Sequence, residues 1–327
     1  TMPTSEYNQA LPWLAKRAAE DPRFVLGTIY TTYTALTGLA PLDYPTDAES
    51  PTYTSQLDAW QAQDALFTKI GEAFVLTDYN LKTVVSGIVR SPYFRAKNAE
   101  EPLTDELLAE YVALGGGRLS TPERLARKIR AVTGVHWVRP WDLADYLLAE
   151  YKILYGGIDA DTITRRLTQM NGLMAGVSLR MANEVACGIT AYDLSLPSDQ
   201  RNLFPHVSLD HLPEGASGQS VPDAIDDIKT NIVYLHARIL GETLEIDDPE
   251  IERTYQVFYG TWKEGIDIVA NDDGAAYLTW QCQARVNPAT QEDLPESQVI
   301  NQDPNYTVRA WMAVMTYLLS DYKFLYE

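Results

Sequence analysis

The sequence predicts an all-α protein, an irregular multi-helix bundle with long loops. Three observations carry that prediction. Capping residues followed by proline stand ahead of apolar stretches at Asp21-Pro22, Thr121-Pro122, Asp248-Pro249 and Asp303-Pro304, which is the signature of a helix start. Apolar residues recur at spacings of three and four, most regularly at Ile225, Ile228, Ile232, Leu235 and Ile239. No alternating run is long enough to build a substantial sheet.

The first helix opens at Asp21-Pro22-Arg23, carries Phe24, Leu26, Ile29, Tyr33 and Leu36, and closes at Gly38. The Pro- and Asp-rich stretch 41–53 reads as a surface loop, and a second helix runs over about 56–74. Asp78 is positioned to cap a third helix, with Leu81, Val84, Val85, Ile88 and Val89 on its apolar face, before Ser91-Pro92 interrupts it. Residues 97–104 are polar, a short helix reaches Leu114, and Gly115-Gly116-Gly117 is the most flexible point of the chain. The 327 residues form one large helical domain, or divide into 1–97 and 118–327 with the boundary between Ala96 and Ser120.

Ser120-Thr121-Pro122-Glu123 starts a basic helix that Gly134 ends, with Glu123 placed to reach back in a capping box. An amphipathic helix follows over 141–154, with Leu143, Tyr146, Leu147 and Leu154 near one face, and the stretch 163–187 reads as one or two helices interrupted near Asn171-Gly172. The region 195–222 carries Pro197, Pro205, Pro213 and Pro222 and is the longest irregular one; loops of that length often carry function. Helices then run from about 222 to Gly241 and from Asp248-Pro249 to Asn271, the latter with Ile251, Tyr255, Phe258, Trp262, Ile266 and Val269 on one stripe. The stretch 275–286 reads as a short helix, and Asp303-Pro304 opens a C-terminal helix through Val308, Trp311, Met312, Met315 and Leu319.

Composition narrows the function classes. A formal charge of −19 repels phosphate backbones and anionic lipid head groups, which disfavours nucleic-acid and peripheral membrane roles. The same charge attracts a basic partner or divalent cations and also serves solubility. No apolar run approaches the roughly 20 residues that cross a bilayer. The start at Thr1-Met2-Pro3-Thr4 lacks the segments of a signal peptide and points to an upstream piece removed, or to one fragment of a longer chain. Cys187 and Cys282 share no metal spacing and are either one long-range disulfide or two buried thiols. Twenty tyrosines, few lysines, strong acidity and two cysteines lean to a periplasmic or extracellular location.

Few residues offer chemistry. His206, Asp210 and His211 in the long loop would make a divalent-metal site if the loop folded back on itself, though histidines in such loops are commonly packing residues. Asp159 and Asp161 resemble the start of a calcium loop, but the completing Gly and Glu are absent and a helix cap explains them better. Glu184 lies one helical turn from Arg180, a spacing that makes an ion pair and would serve acid–base chemistry only beside a cleft. There is no nucleophile elbow, no phosphate-cradling glycine motif and no Cys-x-x-Cys-His, so the chain attaches no c-type haem itself and no motif requires a cofactor.

Asp21-Pro22-Arg23-Phe24 leading to Thr37-Gly38, Phe74 through Asn80-Leu81-Lys82 to Ser91-Pro92-Tyr93-Phe94-Arg95, and the closing Leu318-Leu319-Ser320-Asp321-Tyr322-Lys323-Phe324-Leu325-Tyr326 resemble segments of bacterial extracytoplasmic domain-of-unknown-function families of planctomycete and myxobacterial type. Those families often accompany cytochrome c modules. The likeness covers about the first 100 residues and the last 25 and brings no catalytic residue with it. It implies a non-catalytic extracytoplasmic protein with a protein partner, a cytochrome c among the candidates. The alternative is an enzyme with its site in the loop 195–222. The Pro-aromatic phrases at Pro22, Pro92 and Tyr322 are too unequally spaced for a solenoid.

Overall fold

Asp21, Asn80, Thr121, Asn171, Asp248 and Asp321 each start a helix by accepting from an amide of its first turn. The computed structural model describes residues 2–95, 119–159, 161–167 and 169–326, and among these every regular element is helical. The chain divides into two compact units, Thr1–Arg118 and Leu119–Glu327. The polar stretch 97–104, the short helix reaching Leu114 and the Gly115-Gly116-Gly117 expectation lie outside the described residues.

In the first unit, α1 (Ala10–Ala19) buries no side chain, whereas α2 (Pro22–Thr37), α3 (Tyr53–Leu76), α4 (Leu81–Val89) and α5 (Pro92–Arg95) share a core. Asp21 accepts from the Arg23 amide at 2.9 Å with Pro22 at the first helical position, and Gly38 closes α2 in the left-handed conformation. Asn80, rather than Asp78, caps α4 by accepting from the Lys82 amide at 3.1 Å. Asp78 and Tyr79 instead turn the chain with positive φ of 54° and 57°, which delays the helix by two residues. Ile29, Tyr33, Phe67, Ile70, Phe74, Val84 and Ile88 form the core. Gly87 is required there, because a Cβ would stand 2.8 Å from the Ile70 side chain.

The second unit is built around α7 (Gly172–Ser195), packed against α10 (Thr307–Leu319) and joined by α6 (Pro122–Thr133), α8 (Pro222–Leu235), α9 (Pro249–Asn271) and α11 (Tyr322–Leu325). Asn171 caps α7 by accepting from Met174 at 3.0 Å, so one helix begins where an interruption is expected, and the described residues of 161–171 are irregular. Thr121 and Gly134 bound α6 as expected, and the Glu123 carboxylate in its first turn holds Arg166 at 2.9 Å. Trp311 is fully buried between Phe204 and Phe258, with ring centroids 5.1 and 4.7 Å away. The two ends of this unit meet where the Ser120 amide donates to Leu325 O at 2.9 Å.

Two expected helices are absent. Residues 141–154 form turns, because Asp142 and Asp145 capture the amides of Ala144 and Leu147 at 3.1 and 2.9 Å and prevent helical pairing. Residues 275–286 hold short 3₁₀ turns and bridges to the chain near Ile300, not a helix. Asp303 caps α10 from a distance: buried, it accepts from the amides of Val308 and Arg309 at 3.0 Å each, while Tyr306, at φ 53°, lays its ring where a Cβ on Gly265 would stand.

Two buried polar networks brace the second unit. Asp193 accepts from the amides of Asn202, Leu203 and Phe204 at 2.8, 3.0 and 2.9 Å and thereby shapes the start of the long loop. Burial still pushes its carboxyl above the usual range, against the pull of those bonds and of Arg201. His236, in a π-helical turn (His236–Leu240) that continues α8, sits 2.7 Å from Glu242 through Nδ1 and 2.9 Å from the Thr254 hydroxyl through Nε2. Burial opposes ionisation of Glu242, but its bonds to Lys323 and His236 outweigh that and hold its carboxyl below the ordinary value of 4.5.

Replacing Asp193 with Ala orphans three amides and is expected to cost about 3 kcal/mol or more, read by urea unfolding. A lowered folded-state pKa means that the contribution of Glu242 is complete above its unfolded value and lost as pH falls through the folded one. Glu242→Gln therefore loses less stability than the parent chain between about pH 5 and pH 3, measured as urea midpoints at the two pH values.

Candidate functional site

The exposed flank of α7 collects the aromatic and charged groups that the rest of the helix keeps out of its buried sides. Arg180 and Glu184, one turn apart, pair at 2.7 Å, and the second carboxylate oxygen of Glu184 accepts from the Trp137 indole N–H at 2.8 Å. The Arg180 guanidinium also donates to the Tyr151 hydroxyl and lies over the rings of Tyr146 and Tyr151, 5.4 and 5.2 Å from their centroids. Trp137 packs in turn on Tyr146 and Tyr151 at 4.8 and 5.5 Å. The bond to Glu184 raises the Arg180 pKa further, and burial raises those of Tyr146 and Tyr151, so at neutral pH the guanidinium is charged and both phenols are protonated.

These contacts position rather than react. Both oxygens of Glu184 are engaged, so the pair orders the aromatic trio and fixes the turn that carries it. That turn projects Trp141, 71% exposed, with the Arg139 guanidinium 5.6 Å from its ring; Arg139 is itself held by Asp142 at 3.0 Å.

One turn beyond Glu184, Cys187 is joined by a disulfide to Cys282, 95 residues away in sequence. The bridge fastens a short 3₁₀ turn (Trp280–Cys282) to α7, and the Thr279 hydroxyl donates to the Cys282 sulfur at 3.1 Å. On this turn Trp280 is 69% exposed and carries the Arg285 guanidinium at 4.9 Å. Between α7 and α10, beside the disulfide, runs a largely apolar groove of about 650 Å³ lined by Glu184, Cys187, Cys282, Met312 and Tyr317. Tyr317 donates its hydroxyl to Glu250 at 2.7 Å and so presents its ring.

The residues singled out in the long loop do not come together. Among the described residues no group of three or more His, Cys, Asp or Glu side chains is placed to hold a metal ion, so His206, Asp210 and His211 do not converge. His206 packs edge-on against Tyr234 with its amide donating to Asn231, and His211 faces Asp227 at 3.4 Å. Asp210 is exposed. Asp159 accepts from the amides of Ile163, Asp161 and Thr162 at 2.8 to 2.9 Å; these bonds hold its carboxyl well below the usual range, and they cap a turn rather than open a calcium loop or a helix.

Sequence reasoning reaches Arg180, Glu184 and the two cysteines but not the aromatic trio, whose members lie 29 to 47 residues away. It also misses the Thr254, His236, Glu242 arrangement. That set has the order of a nucleophile, base and acid, yet Thr254 is 0% and His236 1% exposed, so no substrate reaches it and its role is structural.

Closing a loop of 95 residues restricts the unfolded chain by about 4 to 5 kcal/mol in the chain-entropy picture. The double variant Cys187→Ala with Cys282→Ala is expected to lose about 2 to 5 kcal/mol of stability in urea unfolding under non-reducing conditions, and reduction of the parent chain should match it.

Comparison of the chain with protein-family models, curated proteins and solved structures finds no match. Its function is therefore read from the geometry of this surface.

Proposed function

We propose that the chain is a non-catalytic extracytoplasmic binding protein that docks a basic protein partner on the exposed flank of α7. A cytochrome c is the partner type that the sequence resemblance implies. The observation that carries the reading is the pair of exposed tryptophans, Trp141 and Trp280, each under an arginine, one in a segment bonded to Glu184 and the other on the turn bridged to Cys187, two α7 residues that line the apolar groove. Tryptophan, tyrosine and arginine around an apolar centre form the composition that concentrates binding energy at protein interfaces. The disulfide supports an oxidising location, where such bridges persist. The charge of −19 supports a basic partner, whose approach it would accelerate.

Titration of the purified chain with a basic c-type cytochrome tests the reading. Binding should weaken steeply as salt rises, and Trp141→Ala and Trp280→Ala should each raise Kd by about tenfold, about 1.4 kcal/mol, without changing Tm. Absence of binding at low salt, or variants that bind like the parent chain, would contradict the proposal.

A further inference from the structure

A second cleft, of about 500 Å³, opens at the C-terminal end of α7, between the beginning of the long loop and the segment around residues 287–298. Its chemistry differs from that of the apolar groove. Tyr192, Gln200, Asn202, Glu292, Asp293 and Gln298 line it, and no Lys, Arg or His does. Among the described residues, the exposed carboxamides of Gln200 and Asn202, the half-buried carboxamide of Gln298 and the exposed carboxylate of Asp293 take no hydrogen bond from the protein and stand open to solvent in the cleft.

We infer that this cleft binds a neutral saccharide through those carboxamides, with the Tyr192 ring as the apolar wall. A carboxamide offers two donors and two lone pairs, which match neighbouring hydroxyls that each donate and accept. The carboxylates of Glu292 and Asp293 accept from further hydroxyls. They also repel phosphorylated or carboxylated ligands, and no cation in the lining offsets that repulsion. The volume is within the range of small-molecule sites.

Both walls are held in place before any ligand arrives. Asp193 fixes the Asn202 amide, and the Tyr234 hydroxyl donates to Asn202 O at 2.9 Å, so the Asn202 side chain stands on a pinned backbone. Opposite, Asn287 accepts from the amides of Ala289 and Thr290 at 2.9 and 3.3 Å, and a bridge joins Val286 to Asp293. Leu294 donates its amide to Arg285 O at 2.8 Å, which ties this wall to the disulfide-bonded segment. A site with fixed walls loses little entropy on binding.

Isothermal titration of the full chain with cellotetraose, maltotetraose and chitotetraose, beside a tetragalacturonate and spermidine, tests the inference. At least one neutral tetrasaccharide should bind with a Kd of about 1 mM or tighter, and raising the salt should leave that affinity unchanged. Asn202→Ala and Gln298→Ala should each weaken it about tenfold with Tm unchanged, and Trp280→Ala should leave it intact, which separates this site from the protein-docking surface. The inference is overturned if no neutral tetrasaccharide binds at about 10 mM, if both cleft variants bind as the parent does, or if only tetragalacturonate or spermidine binds.

Discussion

Burial of α7 on more than one side is the constraint on which the second unit depends. Met174, Val177, Met181, Ala182, Val185, Ala186, Ile189 and Leu194 are all buried, and they cover more of the helix than a single stripe. Each large apolar side chain so buried contributes about 1.5 to 3 kcal/mol, set against the entropy of ordering the chain. A helix packed in this way has little freedom to shift, so what is fastened to it becomes rigid as well. Three features are fastened there: the aromatic trio at Arg180 and Glu184, the disulfide at Cys187, and the loop start at Asp193.

How much of this was legible in the sequence depends on distance along the chain. The starts at Asp21, Thr121 and Asp248, and the stops at Gly38, Gly134 and Gly241, rest on bonds within about four residues and stand where the sequence places them. Asp303-Pro304 does not open the C-terminal helix, which begins three residues after Pro304 at Thr307; Asp303 instead reaches past a left-handed Tyr306 to amides five and six residues on. The stretch 141–154 has apolar residues at helical spacing, and two aspartates that bond nearby amides override it. Local side-chain bonds to the backbone compete with the helix, and periodicity does not register them.

The candidate surfaces follow the same rule. The Arg180 and Glu184 pair was visible because both ends lie on one helix, whereas the partners that give it meaning are brought in by the tertiary fold. Two cysteines 95 residues apart carry no pairing signal beyond their number. His206 and His211 stood out because they lie close together in a loop, while the more highly bonded histidine, His236, was concealed in an apolar helix. Isolation in sequence says little about connection in space.

Two surfaces of opposite character thus share one helix, an apolar groove along α7 beside the disulfide and a carboxamide-lined cleft at its end. Both depend on the segment around residues 277–302 being held against α7 by the disulfide. Hydrogen exchange of the oxidised and reduced chains tests that most directly. The expected result on reduction is a loss of protection in that segment larger than the uniform loss that lower global stability gives every slowly exchanging amide, with the amides of 174–194 still among the slowest in the second unit. Loss of protection in 277–302 no larger than that along α7, or unchanged exchange in 277–302, would contradict it.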